Sequence, residues 1–365
     1  MASYSPTESF TDSSPSTSTP GRLVIPDRPC PHGYLANPHQ EAKQRGWNAF
    51  YGLLSSPPEI FQNLGEKAGV ARYRCVDPSL QMTTLDTLKG TVYMEGVKPV
   101  DVFSCIHQAA YRLIWDTRLA SASIIERYSQ TEFIFYLVTR GIGPIYWERD
   151  VVGCQFSRSY LADGSMAEDI VMADCPLVDI MWTNVERPDI GPQEGKMRAQ
   201  ITLAGYRIEA RGNGCQVTYF VSIDLAVPIP AFIRKALCND LPVALARLRD
   251  AIPTFGVPPY VLDHQRCIAL QQHYWDPETR VSVIIAVTTS PGTFVIMLDS
   301  MRMYPSGILM PTITGQGATS VTIQEAFTGD RIFVHLSESG LFQEWILTFE
   351  PRDQDPEPTD QSSWW

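Results

Sequence analysis

An α+β fold is expected for this 365-residue chain: a curved antiparallel sheet, an amphipathic helix laid over it, and a smaller all-β unit following. Three observations predict it. Apolar residues recur at helical spacing over 40–54 and 100–115, residues 132–227 change to two-residue alternation, and helical spacing returns directly after Pro228.

Within the first helical segment, Ala42, Trp47, Phe50, Tyr51 and Leu54 share one side of a helix over Gln40 to Leu54. Short strands follow at Ala71 to Val76 and Lys89 to Gly96. Val102, Ile106, Ala109, Ala110 and Leu113 then place a second helix over Val100 to Trp115, with Asp101 as its N-cap.

Beyond Glu132 come four or five antiparallel strands, separated by turn residues at Gly141-Ile142-Gly143-Pro144, Ala162-Asp163-Gly164-Ser165 and Gly212-Asn213-Gly214. In the last strand Val217, Tyr219, Val221, Ile223 and Leu225 share one face. Thr218, Ser222 and Asp224 share the other, with Phe220 as the exception. The Phe133 to Val138 run is apolar on both faces, which predicts that its outer side is covered by the C-terminal unit.

After Pro228, the residues Ile229, Phe232, Ile233, Ala236 and Leu237 form one apolar side of a helix. Pro242 has no N–H to give an interior turn but fits the first turn of a new helix. Two helices, or one kinked at Pro242, are therefore expected to end near Ile252.

Residues 1–40 are rich in Ser, Thr and Pro (14 of the first 20), too poor in large apolar groups to offset the entropy of ordering, and are expected to be disordered. The acidic tail 351–365 reads the same way. Pro258 and Pro259, with the stretch Ile252 to Val257, punctuate the chain between a unit over 41–255 and a β-rich unit over 262–350. In the latter, strand-like runs at Val281 to Val287, Phe294 to Leu298, Val321 to Ala326, Arg331 to Leu336 and Trp345 to Phe349 suggest a small sandwich. Ser290-Pro291-Gly292, Gly315-Gln316-Gly317 and Gly329-Asp330 mark its turns. Its role and protein partner are unknown from the residues alone.

Composition excludes several function classes. The longest apolar runs, Phe133 to Val138 and Leu225 to Ile233, fall far short of the roughly 18 residues that span a bilayer. A net charge of −11 argues against a nucleic-acid partner. The N-terminus lacks a basic stretch followed by an apolar core, and eight scattered cysteines form no CxxC pair, so reduced thiols in a cytoplasmic protein are expected. No serine-hydrolase elbow, HExxH, P-loop or dinucleotide fingerprint is present. His264, Cys267 and His273 are close in sequence without metal-ligand spacing, and His107 reads as a packed core histidine. No catalytic residue, metal or cofactor is expected.

A spaced set of motifs carries a family resemblance. It comprises Arg112 with Trp115-Asp116, Arg149-Asp150-Val151-Val152, Glu186-Arg187-Pro188 ahead of Gly195-Lys196-Met197-Arg198, and Ser222-Ile223-Asp224 running to Pro230. In this order, over residues 41–255, it resembles the START domain, the lipid-transfer module related to the steroidogenic acute regulatory protein. The resemblance implies a helix-grip fold whose sheet and C-terminal lid helix enclose one hydrophobic, lipid or sterol-like molecule. Pattern alone leaves a solid core and an apolar pocket equally open; the resemblance favours the pocket.

Expected ligand contacts are Tyr219, Val221 and Ile223 on the sheet, Phe232, Ile233, Ala236 and Leu237 on the lid, and the neutral polar Tyr136 and Gln155. The last two follow from the resemblance, since sterol-binding members carry a buried acid and an Arg where a rough register places Tyr136 or Leu137, and Gln155. A cavity without that charged pair would suit a weakly polar ligand. Arg149 and Asp150 could act as an acid/base pair, but an ion pair anchoring the strand is the simpler reading. On the lid segment Arg234, Lys235, Arg247 and Arg249 outnumber Asp240 and Asp250; this would let the lid meet a membrane transiently, although a solvated helix face is the plainer account. Two other functions stay open: a cyclase or hydrolase using the same cavity, and a scaffold with a collapsed core.

Overall fold

Helix α1 (Gln40–Ser55) buries Ala42, Trp47 and Phe50 of the expected set, and Leu53 in addition, while Tyr51 and Leu54 are half-buried. The structure is a computed structural model and describes residue 30 and residues 32–80, 83–141, 147–168, 171, 174–228, 230–276, 278–324 and 331–352. Strands β1 (Phe61–Lys67), β2 (Val70–Cys75) and β3 (Leu88–Glu95) follow, then helices α2 (Pro99–His107) and α3 (Ala109–Trp115). The expected single helix over 100–115 is thus two. Gln108 between them is extended (φ −82°, ψ 112°), and the Trp115 indole donates to the Cys105 carbonyl across the break. Asp101 is not the N-cap but lies inside the first turn, where its carboxylate accepts the Lys98 N–H at 2.8 Å.

Strands β4 (Leu119–Arg127), β5 (Phe133–Thr139), β6 (Arg149–Tyr160), β7 (Met166–Glu168), β8 (Leu177–Asn184), β9 (Met197–Arg198), β10 (Gln200–Arg211) and β11 (Gly214–Asp224) complete one 11-stranded sheet. Its order is β1-β2-β3-β11-β10-β8-β6-β5-β4, with β7 and β9 attached to β6. Pairing is antiparallel except between β6 and the two-residue β9. Four or five strands are expected after Glu132; the long ones found are β5, β6, β8, β10 and β11. The Gly141 to Pro144 turn falls largely outside the described residues, as does Ile229.

Both sheet faces are covered. Alternation sends Phe133, Phe135 and Leu137 of β5 to one face and Ile134, Tyr136 and Val138 to the other. The second face belongs to a core that α1 enters through Trp47, Phe50 and Leu53 over β8 and β10, and that Tyr128 and Ile190 also join, so no described residue of the C-terminal unit contributes to this cluster. Gly205 makes this approach close: a Cβ there would lie 2.5 Å from the Phe50 ring. Phe220, the exception in β11, faces the same way and meets Phe50 edge-on.

Helices α4 (Ala231–Asp240) and α5 (Ala244–Phe255) lie over the first face, the expected helix-grip arrangement. They separate at Pro242, and Gly256 ends α5 in a positive-φ conformation (79°) that suits glycine. Strands β12 (Tyr260–Leu262), β13 (Ile268–Trp275), β14 (Ser282–Thr288) and β15 (Gly292–Met297), the short α6 (Ser300–Met303), and β16 (Thr312–Thr314), β17 (Val321–Gln324), β18 (Arg331–Leu336) and β19 (Glu344–Phe349) build two four-stranded sheets. Phe294 and Trp345 stack between these sheets at 5.7 Å. The five expected strands are present as far as they are described; β12, β13 and β16 were not anticipated.

Pro258 and Pro259 are buried, not exposed as in a free linker. Ser104 donates to the Pro258 carbonyl, the Tyr111 hydroxyl donates to the Gly256 carbonyl, and Tyr111 stacks on Trp275. One apolar core therefore runs from the large sheet into the C-terminal sheets. The described part of the N-terminal segment lies against both: the Cys30 N–H meets Gln271, and the Tyr34 hydroxyl accepts the Leu270 N–H.

Candidate functional site

A cavity of about 60 Å³ lies between the first sheet face and the α4–α5 junction. Its apolar wall is built by alternation in adjacent strands: Leu137 opposite Val151, and Tyr219, Val221 and Ile223 along β11. Ala199 and Ala204 supply small side chains and Ile201 a larger one, while Leu241 and Ala244 close it from the α4–α5 junction.

The opposite end is cationic. Arg112 leaves the last turn of α3, Arg118 stands just before β4 and Arg149 begins β6; all three line the cavity together with Asp116 and Thr139. Arg112 binds Asp116 at 3.2 Å and lays its guanidinium 4.0 Å over the Trp182 ring. Its Nε and the Nη1 of Arg118 are buried without a hydrogen-bond partner among the described residues. Tyr219 stacks on Tyr206 at 4.4 Å, and burial pushes its phenol up to about 12, with Arg112 opposing in part. It is a neutral hydroxyl in the wall.

Of the residues expected to contact ligand, Tyr219, Val221 and Ile223 line the cavity. Ile233 and Leu237 are buried in the same core without lining it, and Phe232 and Ala236 are exposed on α4. The buried ridge of α4 follows i, i+4 spacing through Ile233, Leu237 and Leu241, which turns the Phe232 and Ala236 row to solvent. Tyr136 faces α1 and donates to Asp150 at 2.9 Å. Leu137, its alternative in the register, is the one that lines the cavity.

Gln155 faces the correct side but away from the cavity. Its carbonyl accepts the Trp182 indole N–H at 2.8 Å, and its amide lies 2.8 Å from Nδ1 of the buried His107. Burial and the nearby Arg127 hold His107 well below the usual histidine range, so Nδ1 accepts the amide proton. With the charged residues on the wall, the neutral polar lining expected from sequence is not what the fold presents. Arg112 and Arg149 stood in the motif set without being expected on the cavity wall, and Arg118 was not singled out, because their meeting there depends on strand and helix ends converging at one place.

A family model for the START domain matches residues 65–251, from β1 into α5. The chain belongs to the START-domain family. Among solved structures it is similar to human StAR-related lipid transfer protein 5 (18% identity, TM-score 0.48, covering 59% of this chain and 97% of that one). It is also similar to human STARD10, at 18% identity and TM-score 0.46 over 60% of this chain and 81% of that one. The human StarD13 (DLC2) lipid transfer and protein localization domain matches at 18% identity and TM-score 0.43, over 60% and 98% of the two chains. No curated protein matches. The β12–β19 region lies outside the START match.

Within the START domain the motif residues divide by strand alternation. Arg149 faces the cavity, whereas its neighbour Asp150 is fully buried on the other face. Asp150 pairs with Arg198, not with Arg149, through two hydrogen bonds of 3.1 and 3.0 Å, and also accepts from Tyr136 and the Gln193 N–H. The expected pair between Arg149 and Asp150 is therefore not formed; the strand start is anchored instead by Asp150 with Arg198, at the end of the 186–198 loop.

Proposed function

We propose that this START domain binds a single hydrophobic, lipid-like molecule in the cavity beneath α4–α5 and carries or senses it without transforming it. The observation that carries this reading is an apolar pocket closed at the α4–α5 junction by Leu241 and Ala244, directly beside a weakly held helix. Helix α4 buries Ile233, Leu237 and Cys238, whereas α5 buries six residues. Burying an Ile and a Leu is worth about 1.5–3 kcal/mol each, so lifting α4 costs an amount that ligand contacts can offset. A cavity of about 60 Å³ is far smaller than the roughly 300–1,000 Å³ of a pocket that encloses a ligand, so loading requires that lid to move.

Exposed Phe232 beside exposed Arg234 and Lys235 supports transient contact of α4 with a membrane during loading. Among the described residues no helix is long and apolar enough to cross a membrane. Eight free, buried cysteines support a reducing, cytoplasmic setting. The continuous core supports a division in which the region from β12 onward buttresses the START domain. Asp116, the one carboxylate on the described cavity wall, is tied to Arg112, which suits framework better than proton transfer.

The test is native mass spectrometry of the purified chain, followed by extraction of bound molecules and an uptake assay from liposomes. A co-purifying or captured lipid is expected in one-to-one ratio. Neither co-purification nor uptake would sink the proposal.

A further inference from the structure

We propose that the cavity takes its ligand's polar end as an anion: an oxyanion head, phosphate or carboxylate, received by Arg112 and Arg118 with Arg149 beside them. This rests on the binding function proposed above and adds the chemistry of the head. The wall sets three guanidinium groups against one carboxylate, on a chain whose net charge is −11. That carboxylate, Asp116, is already paired with Arg112.

Hydrogen bonding points the same way. Arg112 is 8% exposed, yet its Nε has no partner among the described residues, and the buried Nη1 of Arg118 has none either. Buried donors are almost always satisfied, and charged donors are the most costly to leave bare. An oxyanion would accept both and would do so with charge-assisted bonds. Thr139 and Tyr219 add neutral hydroxyls on the same wall.

A quaternary ammonium group would find no seat there. The Trp182 face is covered by Arg112, the Tyr219 face by Tyr206, and Asp116 is already paired. The wall therefore favours a simple anionic head over a zwitterionic one.

The experiment uses the full chain and four sets of phosphatidylcholine vesicles: undoped, or carrying phosphatidic acid, a long-chain fatty acid or diacylglycerol. Captured lipid is quantified after re-isolation of the protein. Preferential capture of phosphatidic acid or fatty acid is expected, the two arms separating phosphate from carboxylate, with at least tenfold weaker capture by Arg118→Gln. Arg118 is only partly buried, so this variant keeps its fold; Arg112→Gln is a second variant, read only if its melting curve stays cooperative. Capture of diacylglycerol or phosphatidylcholine as efficiently as the anions, unchanged by Arg118→Gln, would overturn the anionic head and leave lipid binding intact. Capture of nothing from any vesicle would overturn both.

Discussion

Removing the carboxylate of Asp150 should destabilise the fold strongly while leaving the cavity chemistry untouched. Asp150 is fully buried and accepts two bonds from Arg198, one from Tyr136 and one from the Gln193 N–H. Asp150→Ala strands a guanidinium whose side chain is only 25% exposed, a buried phenol and a backbone donor. Breaking one partner of a buried pair costs about 3–5 kcal/mol. Against a total stability of about 5–15 kcal/mol, that is a large fraction. Urea unfolding, with the slope held equal between proteins, measures it.

A double-mutant cycle with Arg198→Met sharpens the test, since neighbours sharing one network couple by about 0.5–3 kcal/mol. The double variant should lose much less than the sum of the two single variants. Because Asp150 and Arg149 lie on opposite faces, ligand affinity of the folded Asp150 variant should change less than twofold. A loss below about 1 kcal/mol, or additive single effects, would refute the assignment of Asp150 as the buried anchor of the 186–198 loop.

Further expectations concern the lid, the sheet and pH. Leu237→Ala should cost about 2–5 kcal/mol locally and speed ligand exchange, whereas Phe232→Ser should stay within about 0.5 kcal/mol and lower vesicle association; stopped-flow release and flotation measure the two. Gly205→Ala should destabilise by about 1–3 kcal/mol, seen as a lower Tm, because its methyl meets the Phe50 ring. Desolvation, with help from Arg127, depresses half-buried His273 from 6.5 to about 3. Unfolded histidine then binds a proton that the folded one refuses, so stability is full above about 6.5 and falls toward 3, by up to about 1.4 kcal/mol per pH unit. His273→Leu should flatten that part of the pH profile relative to wild type; an unchanged difference between the two proteins across this window would count against the neutral histidine.

Much of the fold was legible because local periodicity is set by covalent geometry. Helical spacing marked α1, α4 and α5, Pro242 marked the break between the last two, and alternation with glycine turns marked the long strands. Gly212 indeed takes the positive φ (57°) its turn requires. The break at Gln108 left no such trace, since no proline or glycine stands there. Short β12 and β16, of three residues each, offer too few positions for a period to show.

The site was legible only in part. Tyr219, Val221 and Ile223 were found because a buried strand face declares itself by alternation. Tyr136 and Phe232 lie off the cavity wall by one strand position and by one helical row, shifts that invert a side chain's surroundings without altering the pattern much. The sequence by itself determined the α+β class, the order of most elements and the apolar sheet face, since these depend on neighbours a few residues apart. Only the tertiary structure decided that α1 covers β8 and β10, that the C-terminal sheets share the main core, and that Arg112, Arg118 and Arg149 meet at one end of a cavity. Those outcomes depend on contacts between distant segments, and a linear pattern holds no record of which ends converge.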